Sequence, residues 1–216
     1  MEAWYSPHGY GGQNARWSLP GNGPDAENAP GVYSFAYGNV AVVALDANDV
    51  SYEIPANQGY TEGSHASDGG VRDAWLPLFE KHQVDLVING HNHVYERTDA
   101  IKGGRVAKKM PIGESVDAAR EGIVYVTAGG AGRSLYDFPV PDSYEGHVKD
   151  LDHVDTYHWS KGQVKTKDTV EWSRVRYTGY SFLAVGVTPG HRPRMTVTAL
   201  AESGECIDHF EVARSH

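Results

Sequence analysis

The apolar positions of this chain fall into short runs separated by long polar stretches, and their spacing changes character once along its length. The first 30 residues, rich in Gly, Pro, Asn and Tyr, read as ordered loop. Val40 to Asp46 (VAVVALD) opens with a continuous valine-rich run, which predicts a strand covered on both faces. Ala47 to Gly70 is polar loop. Val71, Ala74, Trp75, Leu78, Phe79 and His82 then recur at helical spacing, with Asp68 or Asp73 as candidate caps. Pro77 conflicts with that pattern because it removes a backbone donor, so the pattern predicts a short helix that starts late. A second apolar strand, Val84 to Ile88, follows, and the strand–helix–strand succession predicts a right-handed β-α-β unit. The C-terminal half is mostly β: Ile123 to Thr127, Tyr180 to Val187, Met195 to Leu200 and Cys206 to Val212 read as strands, with Glu202 to Glu205 a hairpin turn. The fold class expected is α/β (α+β).

Composition narrows the possibilities. With 216 residues, 40% of them hydrophobic, residues 1–216 are expected to form a single domain or most of one. A formal net charge of −9 argues against a nucleic-acid or anionic-membrane partner, while leaving a phosphate substrate open, because bound cations dominate a local field. The longest apolar run, Val40 to Leu45, is far too short to span a bilayer. One cysteine, Cys206, excludes an intrachain disulfide and a cysteine-based metal cage. No basic segment followed by an apolar one succeeds Met1, so no signal peptide is expected within the chain.

The chemistry concentrates in VDLVINGHNHVYERT, Val84 to Thr98. An extended backbone puts residues i and i+2 on one side, so His91 and His93 can address one locus. Gly90 allows the sharp bend where strand becomes loop. Two imidazoles at the carboxyl end of a buried strand are a metal-site signature, suited to zinc and iron. Three other histidines, His147, His153 and His158, lie in the polar, aromatic stretch Asp137 to Thr169, at spacings that fit no ligand pattern. Gly129-Gly130-Ala131-Gly132 lacks the Lys-Ser/Thr of a P-loop and reads as a tight turn near the site. Arg97 is expected to pair with Glu96 behind the histidine loop.

Gly90-His91-Asn92-His93 followed by Val94-Tyr95-Glu96-Arg97 resembles the last metal-binding motif of the purple acid phosphatases, within the calcineurin-like metallophosphoesterases. Gly31 to Phe35, Val40 to Asp46, Gly122 to Gly132, Tyr180 to Leu183 and Met195 to Val212 are similar to further stretches of that family, most of all its bacterial branch. The resemblance implies a partial metallophosphoesterase β-sandwich flanked by helices. It also implies a dinuclear centre of iron with zinc, manganese or a second iron, His91 holding one ion and His93 the other. A metal-bound hydroxide would attack the phosphorus of a phosphate ester in line. His65 matches a histidine that contacts the phosphate, and Tyr95, Glu96 and Arg97 stand behind the metal loop. The family's Asp, Asp-x-x-Tyr and Asn-His motifs have no counterpart in these 216 residues. A helix and a strand ending in a further metal-binding histidine have no counterpart between Asp46 and His65 either. Relatives are often exported.

Three function classes follow. The first is metal-dependent hydrolysis of phosphoric esters. The second is a catalytically silent remnant that binds metal weakly or not at all. The third is a cupin-like mononuclear site of His91, His93 and Glu96, for which His209 is the only candidate completing ligand and has unsuitable flanks.

Overall fold

A computed structural model describes residues 16, 18–24, 32–45, 70–90, 92–132, 134–136, 149–150, 154–160 and 164–215, with the backbone alone at 71–74, 149–150, 154–160 and 164–168. The chain divides into two compact units, Met1–Gly59 and Tyr60–His216.

In the first unit, β1 (Tyr33–Tyr37) and β2 (Val40–Ala44) form an antiparallel hairpin, paired from Tyr33↔Ala44 to Tyr37↔Val40. Gly38, at φ 60°, takes the first position of the two-residue turn, where positive φ is required. Asn22 extends the ladder with its side chain: its Oδ1 accepts from Ser34 N–H at 3.1 Å and its Nδ2 donates to Ser34 O at 2.9 Å. Two expectations are corrected here. Among the described residues Val40–Ala44 pairs with β1 alone, in a two-stranded sheet, in place of the expected β-α-β unit. Nor is it covered on both faces; its residues alternate between half-buried and exposed, and Val43 is 64% exposed. A two-stranded ribbon has no flanking crossover helices to cover its second face. Asp46 lies outside the described residues.

The second unit opens with α1 (Gly70–Lys81). This helix runs through Pro77 instead of starting after it. Proline costs the ladder one N–H, while the carboxyl half is anchored by the Trp75 and Phe79 rings, 6.2 Å apart edge to face. The helix ends in a Schellman closure: Gln83 N–H donates to Glu80 O at 3.1 Å and Val84 N–H to Phe79 O at 2.9 Å. Gln83 therefore sits at φ 52°, a left-handed position that normally favours glycine.

The remaining elements are mostly strands. They are β3 (Leu86–Asn89), β4 (Tyr95–Thr98), β5 (Ala100–Lys102), β6 (Arg105–Lys108), β7 (Ser115–Asp117), the short α2 (Ala118–Glu121), β8 (Val124–Ala128), β9 (Lys149–Asp150), β10 (Val154–Ser160), β11 (Val164–Val170), β12 (Ser173–Tyr177), β13 (Ser181–Thr188), β14 (Arg194–Ala201) and β15 (Cys206–Ala213). They make a five-stranded sheet in the order β3-β8-β4-β12-β9 and a four-stranded sheet β13-β14-β15-β7. Side chains from both sheets meet in one apolar cluster. Tyr95, Val124, Val126, Val175 and Tyr177 come from the first, and Val197, Ala199, Ile207, Phe210 and Val212 from the second. Their removal from water is the main force holding the sheets together. The four C-terminal strands expected from the sequence are all present as β8, β13, β14 and β15. The turn at residues 202–205 is present too, closed by Ala201 N–H to Glu205 O at 2.9 Å.

Candidate metal centre

The histidine loop is placed by strand order. β3 and β8 run parallel, with Asn89 opposite Thr127, so both deliver their carboxyl ends to the same edge of the sheet. β4 lies on the far side of β8 and antiparallel to it, with Tyr95 opposite Ala128. Residues 90–94 must therefore cross over the end of β8 to connect β3 with β4. Gly129 N–H donates to Val94 O at 3.1 Å at that crossing. A Cβ at Gly129 would stand 1.8 Å from the carbonyl oxygen of Asn92, so no side chain fits beneath the loop. The glycine run read as a tight turn thus holds the floor of the histidine loop.

His93 is fixed from three directions. Its Nδ1 lies 2.6 Å from the carbonyl oxygen of Ser134. Its ring stacks on Tyr136 at 4.2 Å between centroids and 21° between planes. Its own carbonyl accepts from Tyr136 N–H at 3.1 Å. A carbonyl can only accept, so Nδ1 is the donor, and in the neutral ring the lone pair falls on Nε2. A backbone carbonyl orienting the far nitrogen is the usual arrangement behind an imidazole that ligates metal. His93 is half-buried. His91 and His65 lie outside the described residues, so the structure brings neither to His93. Among the described residues, no three His, Cys, Asp or Glu side chains converge on one point.

Behind the loop, β4 sends alternate side chains to opposite faces. Tyr95 and Arg97 point into the sandwich and meet Asp208 of β15. Tyr95 OH donates to Asp208 Oδ2 at 2.6 Å, Arg97 Nε to the same oxygen at 2.5 Å, and Arg97 Nη2 to Oδ1 at 3.0 Å. Arg97 Nη1 donates to Met110 O at 2.8 Å, and the guanidinium lies 4.9 Å from the centre of the Phe210 ring. Burial, reinforced by the Asp208 charge, pushes the Tyr95 phenol well above the ordinary range and keeps it a donor. Glu96 faces the other way, accepting from Arg176 Nε at 3.0 Å and from the Ser173 hydroxyl. The expected Glu96–Arg97 pair is thereby corrected: each joins a separate partner on a separate face. A further bidentate pair, Arg174 to Asp99 at 2.8 Å on both oxygens, fixes the end of the same strand. Ser134, Tyr136 and Asp208 were not legible as parts of the site. Ser134 acts through its backbone, and Asp208 lies 113 residues from Tyr95.

No family model matches the chain. Two curated relatives of Mycobacterium tuberculosis do: the uncharacterized protein MT2654 (strain CDC 1551 / Oshkosh) and the uncharacterized protein Rv2577 (strain ATCC 25618 / H37Rv). Each is 27% identical over 235 residues, covering 85% of this chain and 44% of the relative. The chain thus spans less than half the length of these proteins. Among solved structures, the purple acid phosphatase PPD1 from seeds of yellow lupin (Lupinus luteus) superposes with a TM-score of 0.61 at 20% identity. That match covers 97% of this chain and 37% of the phosphatase. The likeness shows the fold: an α/β sandwich like the part of the lupin phosphatase that it covers.

Proposed function

We propose that this chain is the carboxyl-terminal part of the catalytic region of a purple acid phosphatase-like, metal-dependent phosphoric ester hydrolase. The observation that carries the reading is His93. It sits at the carboxyl ends of two parallel strands, with Nδ1 committed to Ser134 O at 2.6 Å and Nε2 left for a ligand. The donor chemistry fits a borderline metal ion, with His91 holding one ion and His93 the other. When bound, two such ions supply Lewis acidity toward water and toward the phosphate oxygens. The chain's own work is positional. Ser134 and Tyr136 fix the His93 ring, Gly129 gives the loop its floor, and Tyr95 and Arg97 tie the strand behind it to Asp208. His65 is assigned to holding the phosphate ester.

A second reading is a silent remnant. The relatives align over 235 positions, more than this chain contains, so they carry residues along the aligned stretch that it lacks. Two histidines are fewer than the three or four protein ligands of an ordinary zinc site, and a dinuclear centre needs more. Metal stoichiometry decides between the readings. The protein is reconstituted with iron, zinc and manganese and assayed by elemental analysis beside the His91→Ala/His93→Ala double variant. Two histidine-dependent ions per chain, with phosphate-ester turnover, support the hydrolase. Metal content equal in both proteins refutes it and leaves the silent reading.

A further inference from the structure

Three glycines around the histidine loop are required for space and not for backbone conformation. Gly129, Gly130 and Gly179 all lack the positive φ that favours glycine. Beyond the overlap with Asn92 described for Gly129, a Cβ at Gly130 would lie 3.1 Å from the carbonyl oxygen of Gly179 and 3.3 Å from Ser181 Oγ. At Gly179 it would overlap the hydroxyl oxygen, Cζ and Cε1 of Tyr177. That ring has little freedom to step aside. It is 7% exposed, belongs to the apolar cluster between the sheets, and stands opposite Tyr95 in the β12–β4 pairing.

Tyr177 and Gly179 belong to a corner. β12 ends at Tyr177 in the five-stranded sheet and β13 begins at Ser181 in the four-stranded one, so residues 178–180 carry the chain between the sheets. The corner is bonded on both sides. Ser181 N–H donates to Gly130 O at 3.2 Å, and Tyr180 O accepts from Glu202 N–H at 2.9 Å. Gly130 is also the start of the segment that orients His93. Ser134, whose carbonyl holds His93 Nδ1, and Tyr136, whose ring stacks on the imidazole, follow it by four and six residues. One end of this segment is therefore tied to the corner and the other to His93.

We propose that Tyr177 and Gly179 are positioning residues for His93. Their packing sets the corner, the corner sets Gly130, and Gly130 sets the segment that keeps His93 Nδ1 on Ser134 and the lone pair on Nε2. Displacing the corner by one methyl group is expected to release the ring. The consequence for metal binding rests on the hydrolase reading, whereas the positioning belongs to the metal-free chain and is tested there.

NMR of the metal-free chain with ¹⁵N-labelled histidine, at about pH 8 and so above the ordinary histidine range, reads the tautomer directly. A His93→Gln variant identifies the His93 signals. The parent should show His93 protonated on Nδ1, and Gly179→Ala should shift it toward the mixture of a free imidazole. Adding Tyr177→Leu removes the overlapped ring atoms and should restore the parent signature; adding Tyr177→Phe keeps Cζ and Cε1 and should not. Zinc affinity by competition titration should follow the same order, about tenfold weaker in Gly179→Ala and recovered with Tyr177→Leu. A Gly179→Ala variant that loses stability yet keeps the parent tautomer overturns the proposal. So does a leucine double variant that restores nothing, or a phenylalanine one that restores as much. Should Gly179→Ala fail to fold, Gly130→Ala, which presses on the Gly179 carbonyl, decides: a shifted tautomer supports the proposal and an unshifted one overturns it. A parent that binds no zinc while its variants keep the tautomer order refutes the hydrolase reading and upholds the positioning.

Discussion

Removing Arg97 or Asp208 alone should be among the most damaging single changes available to the second unit. Both side chains are 0% exposed, and their contact joins β4, directly behind the histidine loop, to β15 of the facing sheet. A charge buried to that degree is tolerable only while its partner is present. Deleting one member of such a pair costs about 3–5 kcal/mol, chiefly the expense of stranding the other ion without water. For Asp208→Ala the stranded groups are the Arg97 guanidinium and the Tyr95 hydroxyl, which bond the two carboxylate oxygens between them. Against a total stability of about 5–15 kcal/mol for an ordinary domain, that loss is a large fraction. Replacing the group by apolar residues of similar volume is a different matter. Tyr95→Phe/Arg97→Met/Asp208→Leu removes every orphan along with the pair, and should come within about 1 kcal/mol of the parent or exceed it.

The assay is equilibrium urea unfolding, with constant slope as the check that the unfolded state is unchanged. Arg97→Ala, Asp208→Ala and their double variant form a cycle whose coupling should exceed about 2 kcal/mol. Lys108→Ala supplies the contrast, since Lys108 is 28% exposed and its partners Glu114 and Glu121, at 3.6 and 3.0 Å, are 43% and 38% exposed, and such pairs are worth under about 1 kcal/mol each. An Asp208→Ala loss no larger than that of Lys108→Ala would refute the reasoning, because the pair would then be hydrated and would not tie the sheets together.

Other outcomes follow from single positions. Gly129→Ala should cost about 1–3 kcal/mol and reduce histidine-dependent metal uptake, since its new methyl would meet a backbone carbonyl that cannot swing aside; unchanged thermal unfolding and uptake would sink this. Gln83→Gly should stabilise by about 0.5–1 kcal/mol in urea titration, because glycine accepts the left-handed C-terminal position without strain. Glu121 accepts the Asp117 N–H at 2.8 Å and Lys108 Nζ at 3.0 Å, and these bonds hold its carboxyl below the usual range. A depressed folded-state value means the contribution is whole above the unfolded value of 4.5 and is lost as pH falls through the folded one. Glu121→Gln should therefore reduce stability at neutral pH and weaken its decline below pH 4.5; an acid-unfolding profile parallel to the parent's would contradict the assignment.

Much of the C-terminal architecture was legible because period-2 patterns and glycine-bearing turns are local. What sequence could not show was pairing. The run Val40 to Ala44 looks like a strand buried on both faces, yet burial depends on neighbours, and its neighbour is β1 in a two-stranded ribbon. Strands of three and four residues such as β5 and β6 are too short to show a period, although Gly103 and Gly104, at φ 59° and 71°, mark the two-residue hairpin turn that joins them. Pro77 does not delay the helix, because one missing donor does not break a helix whose end is closed by a Schellman motif and an aromatic pair.

The case of Glu96 and Arg97 is different, because the correct answer was available from the sequence. Adjacent residues in a strand point to opposite faces, so once Tyr95 to Thr98 is extended the two charges cannot meet. The same parity makes Tyr95 and Arg97 one functional surface and Glu96 another. Mutations on the first act on the join between the sheets, and mutations on the second act on Arg176 and Ser173 of β12. If His93 is held by the strand that follows it, Tyr95 and Arg97 variants should lower the metal affinity proposed for it in proportion to the stability they remove. Glu96→Gln keeps an acceptor for both partners and should leave that affinity unchanged. Metal titration at fixed pH separates the two faces, and equal losses from both would show that the loop responds to the strand as a whole instead of to its inner surface.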